Sequence, residues 1–207
     1  MIISHKHKFI YIKAGKVAGT STELLLEKYC GPEDIVTPIK PKVEGHEARN
    51  YKEGNFKNHR PAKYILRNIG AETFDSYHKV MNVRNPWDRV VSMYHMNLSR
   101  NPNLTISFED YVKSGTKDVD ELYHYCAIND KPCLDSFIRF ENLLEDTLLF
   151  MRSHSIITES CTVSYPRAKT ENSNRPCFRS HYSQETEDII RVRYAKDIEF
   201  FGYDFEK

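Results

Sequence analysis

Short apolar runs alternate along this chain with stretches whose apolar residues recur every three to four positions, the pattern of buried strands separated by amphipathic helices. Residues 8–12 read as a buried strand. After a small-residue turn, 21–29 reads as a helix, with Leu24, Leu25 and Leu26 giving it an apolar face. A helix over 61–68 precedes a second strand at 78–84, and Pro86 opens a helix running to about 98. Ser107 is placed to cap a short helix, 118–126 reads as another, 136–140 as a third core strand and 141–154 as a helix. Residues 159–182 read as irregular, and 184–200 as one long amphipathic helix. This alternation predicts an α/β fold, a mainly parallel central sheet flanked by helices, with its ligand at the C-terminal edge of the strands.

Composition narrows the class. At 207 residues, 40% hydrophobic and free of repeats, the chain can bury a substantial core, and a single domain over 1–207 is expected. A formal charge of +1 gives no support to a nucleic-acid partner. Local charge differs: ten Lys, Arg and His residues lie between Lys40 and Arg67, against Glu44, Glu47 and Glu53. Pro38, Pro41, Gly45 and Gly54 favour a loop there, so the stretch reads equally as a solvated connection and as an acceptor-binding surface. No apolar run approaches the roughly 20 residues of a membrane span, and residues 1–8 are too short and polar for a secretory signal, so a soluble, cytoplasmic chain is expected. Five cysteines without C-x-x-C spacing argue against zinc and for a reduced compartment; whether Cys126 and Cys133 pair across their short loop is left open. The sequons at Asn97 and Asn103 carry meaning only in a secreted chain.

Two segments carry the chemistry. Phe9-Ile-Tyr-Ile-Lys-Ala-Gly-Lys-Val-Ala-Gly-Thr-Ser-Thr-Glu23 reads as strand, turn and helix start, the layout of a phosphate cradle. Gly15, Ala18 and Gly19 suit unusual backbone angles, Val17 completes the turn, and Thr20, Ser21 and Thr22 bring amides and hydroxyls to a positive helix end. A Walker A loop has Lys directly after its last Gly, beside the hydroxyl that holds Mg²⁺. Here Thr20 follows Gly19, Lys13 and Lys16 come earlier, and the strand at 78–84 ends in Arg84 instead of an acidic residue. That combination predicts an anion site that needs no metal.

The second segment is Val83-Arg-Asn-Pro-Trp-Asp-Arg-Val-Val-Ser-Met-Tyr94. Arg84 at the strand end and Ser92 on the following helix together suit one phosphate, by a planar guanidinium fork and a hydroxyl. Alone, R-x-x-x-x-R-x-x-S is a loose pattern, better served by a helix start with a solvated Arg89 and a buried Ser92.

In this order, one strand–helix–strand unit apart, the two segments resemble the sulfotransferase superfamily that uses 3′-phosphoadenosine 5′-phosphosulfate (PAPS), with wording most similar to the carbohydrate, heparan sulfate 2-O-sulfotransferase-like branch. His59-Arg-Pro-Ala, Phe74-Asp-Ser-Tyr-His, Asp135-Ser-Phe-Ile-Arg-Phe-Glu-Asn-Leu-Leu144 and Asp197-Ile-Glu-Phe-Phe-Gly-Tyr-Asp-Phe205 extend the resemblance over nearly the whole chain. It implies a P-loop-containing sulfotransferase-type fold, PAPS as sulfuryl donor, and a hydroxyl acceptor on a glycan or glycoconjugate. The first loop, 13 and 15–22, would hold the 5′-phosphosulfate, and Arg84 with Ser92 the 3′-phosphate. The branch's Golgi members carry a membrane anchor, so a lumenal location is expected only for an excised domain.

The resemblance also implies the chemistry of single residues. Lys16, three residues before Gly19, matches the loop lysine that contacts the oxygen bridging sulfur and phosphorus. His59 matches the base that takes the acceptor proton, a task suited to histidine near neutrality. His95 and His46 are alternatives, and other branches that use glutamate keep Glu47 and Glu53 in play. Lys169 and Arg175, with Arg179, fall where relatives close a basic loop over the nucleotide; a mobile solvated loop is the competing reading. Trp87 reads more readily as core than as an adenine platform. Two other classes stay open: a P-loop nucleotide kinase, which lacks its Lys and strand-end Asp here, and a non-catalytic 3′-phosphoadenosine nucleotide-binding module, which would have no need of Lys16 and His59. The sequence leaves the acceptor and the oligomeric state open.

Overall fold

The computed structural model describes residues 1–115, 119–166 and 176–206. They form two compact units, the first from 1–83 and 124–166, the second from 84–115, 119–123 and 176–206.

The first unit is built on a sheet. Strands β1 (Ile2–Ser4) and β2 (Phe9–Ile12) form an antiparallel hairpin, α1 (Gly19–Glu27) follows the loop, and β3 (Ile35–Val36) pairs antiparallel with β1. Helices α2 (Ala62–Ile69) and α3 (Ala71–Ser76) then lead into β4 (His78–Val83). In the second unit lie α4 (Pro86–Arg100) and α5 (Phe108–Lys113), after which α6 (Leu122–Cys126) spans the point where the chain returns to the first. There β5 (Ala127–Ile128) and β6 (Lys131–Pro132) make a small hairpin, and β7 (Ser136–Arg139) precedes α7 (Leu143–Ser153). The second unit closes with α8 (Gln184–Arg193) and α9 (Ala195–Phe201).

The sheet order is β3-β1-β2-β4-β7. β2, β4 and β7 are parallel, whereas β1 runs against both its neighbours, so the mainly parallel sheet has one reversed strand. β1 is absent from the sequence-based reading because Ser4-His-Lys-His-Lys8 hides a three-residue strand behind a polar turn. Ile2 and Ile3 are nevertheless fully buried. β4 lies between β2 and β7 and is buried along Lys79–Val83, as expected of a parallel strand with parallel neighbours on both sides. Phe9, Tyr11, Leu25, Leu26, Val80, Ile138, Phe150 and Met151 form its core.

The second unit packs Trp87, Val90, Val91 and Tyr94 of α4 with Phe108, Tyr111, Val112, Ile190, Tyr194 and Phe205. Two expectations are refined there. The single helix over 184–200 is broken at Tyr194, whose φ of −114° and ψ of 30° end α8 and start α9. Its ring is buried and its hydroxyl donates to the Val119 carbonyl, so tertiary packing overrides a continuous helical pattern. Of the helix expected over 118–126, the described part, 119–126, is helical only over the five residues of α6. The Ser107 cap of α5 and Pro86 at the start of α4 are as expected.

Candidate active site

Register puts the loop at the right sheet edge. Ile12 at the end of β2 is level with Met81 of β4, so the chain leaves β2 beside Asn82, near the C-terminal end of two parallel strands. The loop then reaches α1, whose N-cap is Ala18 and which has no side-chain cap. A helix start without a side-chain cap leaves backbone N–H groups and the positive end of the dipole available to an anion.

The backbone achieves this differently from the glycine-based expectation. Lys16 (φ 64°) and Ala18 (φ 60°) are the left-handed residues, whereas neither Gly15 nor Gly19 has positive φ. Gly19 is needed for close approach: a Cβ there would meet Lys13 Cγ at 3.0 Å and the Tyr11 hydroxyl at 3.2 Å. Nothing lies within 4 Å of a Cβ added to Gly15, so that side of the loop is open.

Three of the residues expected to touch the donor have a side chain or carbonyl bonded inside the protein. Lys13 is 2% exposed, its stem passes Gly19, and its ammonium ion-pairs with Glu23 of α1. Glu23 also accepts from the Met1 ammonium, which donates to Thr37 Oγ1 at 2.9 Å. Burial alone would raise the Glu23 carboxyl, but the Met1 ammonium and Lys13 outweigh it and hold it below its ordinary value. A buried carboxylate requires such partners, which explains why Lys13 lies inside. Thr22 is buried with its hydroxyl against Asn82 Nδ2 (2.7 Å) and the Tyr165 hydroxyl. Val17 is buried too, and its carbonyl accepts from Asn82 Nδ2 at 3.0 Å. Lys16, Thr20 and Ser21 stay partly exposed on the loop and first turn.

His59 is exposed, sits in the left-handed region (φ 52°), and donates its backbone N–H to Asn58 Oδ1 at 3.1 Å. The same Asn58 oxygen accepts from the Met1 nitrogen at 3.1 Å, so one side chain links His59 to the Glu23 cluster behind the loop. His46 is a poor alternative base: Nδ1 lies 2.6 Å from Glu27 Oε2 and Nε2 3.1 Å from the Thr37 carbonyl, leaving neither nitrogen for a substrate. Glu47 is exposed, and its N–H donates to Glu27 Oε1. Glu53 is also exposed. Through His46, Glu47 and Arg49, which is 3.6 Å from Glu27, the basic connection is pinned to α1. Its Lys40, Lys42, Lys52, Lys57, Arg60, Lys63 and Arg67 are exposed.

In the second unit, Arg84 is buried and directs Nε and Nη2 at Asp88 Oδ2, both at 2.7 Å. Asn85 caps α4 by accepting from the Trp87 N–H (3.0 Å), and Ser92 is buried two turns on. Arg89 corrects the solvated reading. It is 1% exposed, with Nη1 3.3 Å from Asp197 Oδ2 and Nη2 donating to the Asp120 carbonyl at 2.8 Å. Burial pushes the Asp197 carboxyl up, against the pull of Arg89 and of the Tyr123 and Leu122 N–H groups. Trp87 is core, with Nε1 donating to the Glu187 carbonyl at 3.1 Å. His95 Nε2 is 3.1 Å from His181 Nε2, and Arg179 donates to the Phe205 carbonyl at 2.8 Å. Lys169 and Arg175 lie outside the described residues.

Cys126 and Cys133 are not joined by a disulfide; Cys133 Sγ lies 3.0 Å from the Cys126 carbonyl. Among the described residues no group of three His, Cys, Asp or Glu side chains could hold a metal ion, and no helix is long and apolar enough to cross a membrane.

The sequence profile of the sulfotransferase family matches residues 1–204. An uncharacterized protein of Archaeoglobus fulgidus is 32% identical over 100 residues, covering 44% of this chain and 79% of that one. The crystal structure of a sulfotransferase from Alicyclobacillus acidocaldarius aligns over 96% of this chain and 97% of its own, at 17% identity and a TM-score of 0.47.

Proposed function

The chain belongs to the sulfotransferase family, and from that premise we propose that it moves a sulfuryl group from PAPS to an acceptor hydroxyl on a glycan or glycoconjugate, with Lys16 at the leaving oxygen and His59 as base. The observation that carries this reading is the loop: left-handed Lys16 and Ala18 lead into an uncapped helix start, at the C-terminal edge of β2. That cradle, open around Gly15, fits a phosphosulfate held by backbone N–H groups.

PAPS, when bound, supplies the sulfuryl group and leaves as the 3′,5′-bisphosphate. The protein's part is positioning and charge neutralisation. Lys16 holds a proton and positive charge at the bridging oxygen, where negative charge grows as the bond to sulfur breaks. The first turn of α1, with Thr20 and Ser21, holds the anion. His59 accepts the acceptor's proton, and its exposure suits a group that must meet an incoming substrate. Arg84 and Ser92 are the residues for the 3′-phosphate by their place in the segment that follows β4. The exposed cations of the basic connection supply an acceptor face for a hydroxyl-rich or anionic chain.

The test is thermal stability with the product 3′-phosphoadenosine 5′-phosphate (PAP), against ADP and against ATP with Mg²⁺. Ligand at about 100 times its dissociation constant stabilises by about 2.7 kcal/mol. Stabilisation by PAP alone, without metal, is expected; a response only to Mg-ATP would return the chain to the kinase reading.

A further inference from the structure

Asn82 is a polar residue in the middle of an apolar strand, Val80-Met-Asn-Val83, and it is fully buried. Such a side chain is costly unless every polar atom is bonded. Here Oδ1 accepts from the Tyr11 hydroxyl (3.1 Å), and Nδ2 donates to the Val17 carbonyl (3.0 Å) and to Thr22 Oγ1 (2.7 Å). Thr22 in turn meets the Tyr165 hydroxyl. Side chains from β2, β4, α1 and the segment ending at 166 thus converge under the loop.

The contact with Val17 falls between the two left-handed residues, Lys16 and Ala18. In a trans peptide the C=O and N–H point opposite ways. With the Val17 carbonyl drawn inward to Asn82, the Ala18 N–H faces away from the core. Thr22, three residues into α1, fixes the other end of the same turn. We propose that Asn82 and Tyr165 are positioning residues for the donor loop: Asn82 sets the Val17–Ala18 peptide so that its N–H faces the anion, and Tyr165 locks the first turn of α1 through Thr22. This rests on the reading of residues 15–22 as the donor site.

The experiment compares wild type with Asn82→Asp, which keeps the shape but replaces the amide donor by oxygen, and Tyr165→Phe, which removes one hydroxyl. PAP binding is measured by calorimetry, and KM for PAPS, KM for acceptor and kcat by assay. Hydrogen exchange of the peptide covering residues 14–26 is followed without ligand. Asn82→Asp is expected to weaken PAP binding by about tenfold or more and Tyr165→Phe by about threefold to tenfold. KM for PAPS should rise in parallel, acceptor KM should stay unchanged, and exchange in 14–26 should quicken. Wild-type PAP affinity in a folded Tyr165→Phe, or a rise in acceptor KM equal to that for PAPS, would overturn the assignment. If Asn82→Asp does not fold, Tyr165→Phe decides. If the wild type itself fails to bind PAP, the donor reading falls, and the exchange data still judge the loop: unchanged rates in both variants sink the positioning role.

Discussion

Lys13 is ion-paired with Glu23 inside the protein, while Lys16, three residues later, stands partly exposed in the left-handed turn of the loop. Two lysines of one motif therefore have different surroundings. Lys13→Met should cost about 2–3 kcal/mol in urea unfolding, since Glu23 would lose its lysine and keep only the Met1 amino group, whose pKa burial pulls down to about 5. Lys16→Ala should leave stability within about 0.5 kcal/mol and abolish turnover with PAP still bound. Wild-type turnover in Lys16→Ala would remove the leaving-group role. Because the Glu23 carboxyl is held below its ordinary value, the stability it lends is present above the usual carboxylate range and lost as pH falls through the folded value.

His59→Asn is the informative substitution at the base, because asparagine tolerates the left-handed backbone that His59 adopts. The melting temperature should hold while kcat falls by about 10² to 10⁴. The acid limb of the wild-type kcat/KM profile should vanish in this variant. A loss smaller than tenfold would transfer the role to another group.

Arg89 belongs to the R-x-x-x-x-R-x-x-S pattern yet is locked to Asp197 and the Asp120 carbonyl. Arg89→Met should cost about 3 kcal/mol by leaving the buried Asp197 carboxylate without its cation. PAP affinity, measured where the variant is folded, should change little, whereas Arg84→Ala should do the reverse.

His78 sits at the start of β4 with Nε2 2.7 Å from Ser136 Oγ and its ring 4.2 Å from that of His154; Asp135, Lys79 and Phe150 complete its surroundings. Burial, aided by His154, lowers its pKa, and Asp135 opposes. The unfolded chain then binds a proton more readily than the folded one. Stability is full above the ordinary histidine range and falls as pH drops through it. His154→Gln should flatten that dependence in urea melts between about pH 7.5 and 5, and an unchanged slope would assign the effect elsewhere.

Sequence alone determined the α/β order, the strand-turn-helix of the loop, Pro86 at a helix start and the burial of Trp87, because these follow from local periodicity, turn chemistry and apolar runs. The family, too, is legible in the order of the two anion motifs. Tertiary structure decided what each polar side chain does. Lys13 and Arg89 were drawn inward by buried carboxylates, Glu23 and Asp197, that no local pattern pairs with them. Asn82 signalled itself only as a polar residue in an apolar strand, and Tyr165, 143 residues from Thr22, not at all. The strand at Ile2–Ser4 and the break at Tyr194 likewise needed partners distant in sequence. Hydrogen bonds and ion pairs across such separations are set by packing, which residue spacing does not encode.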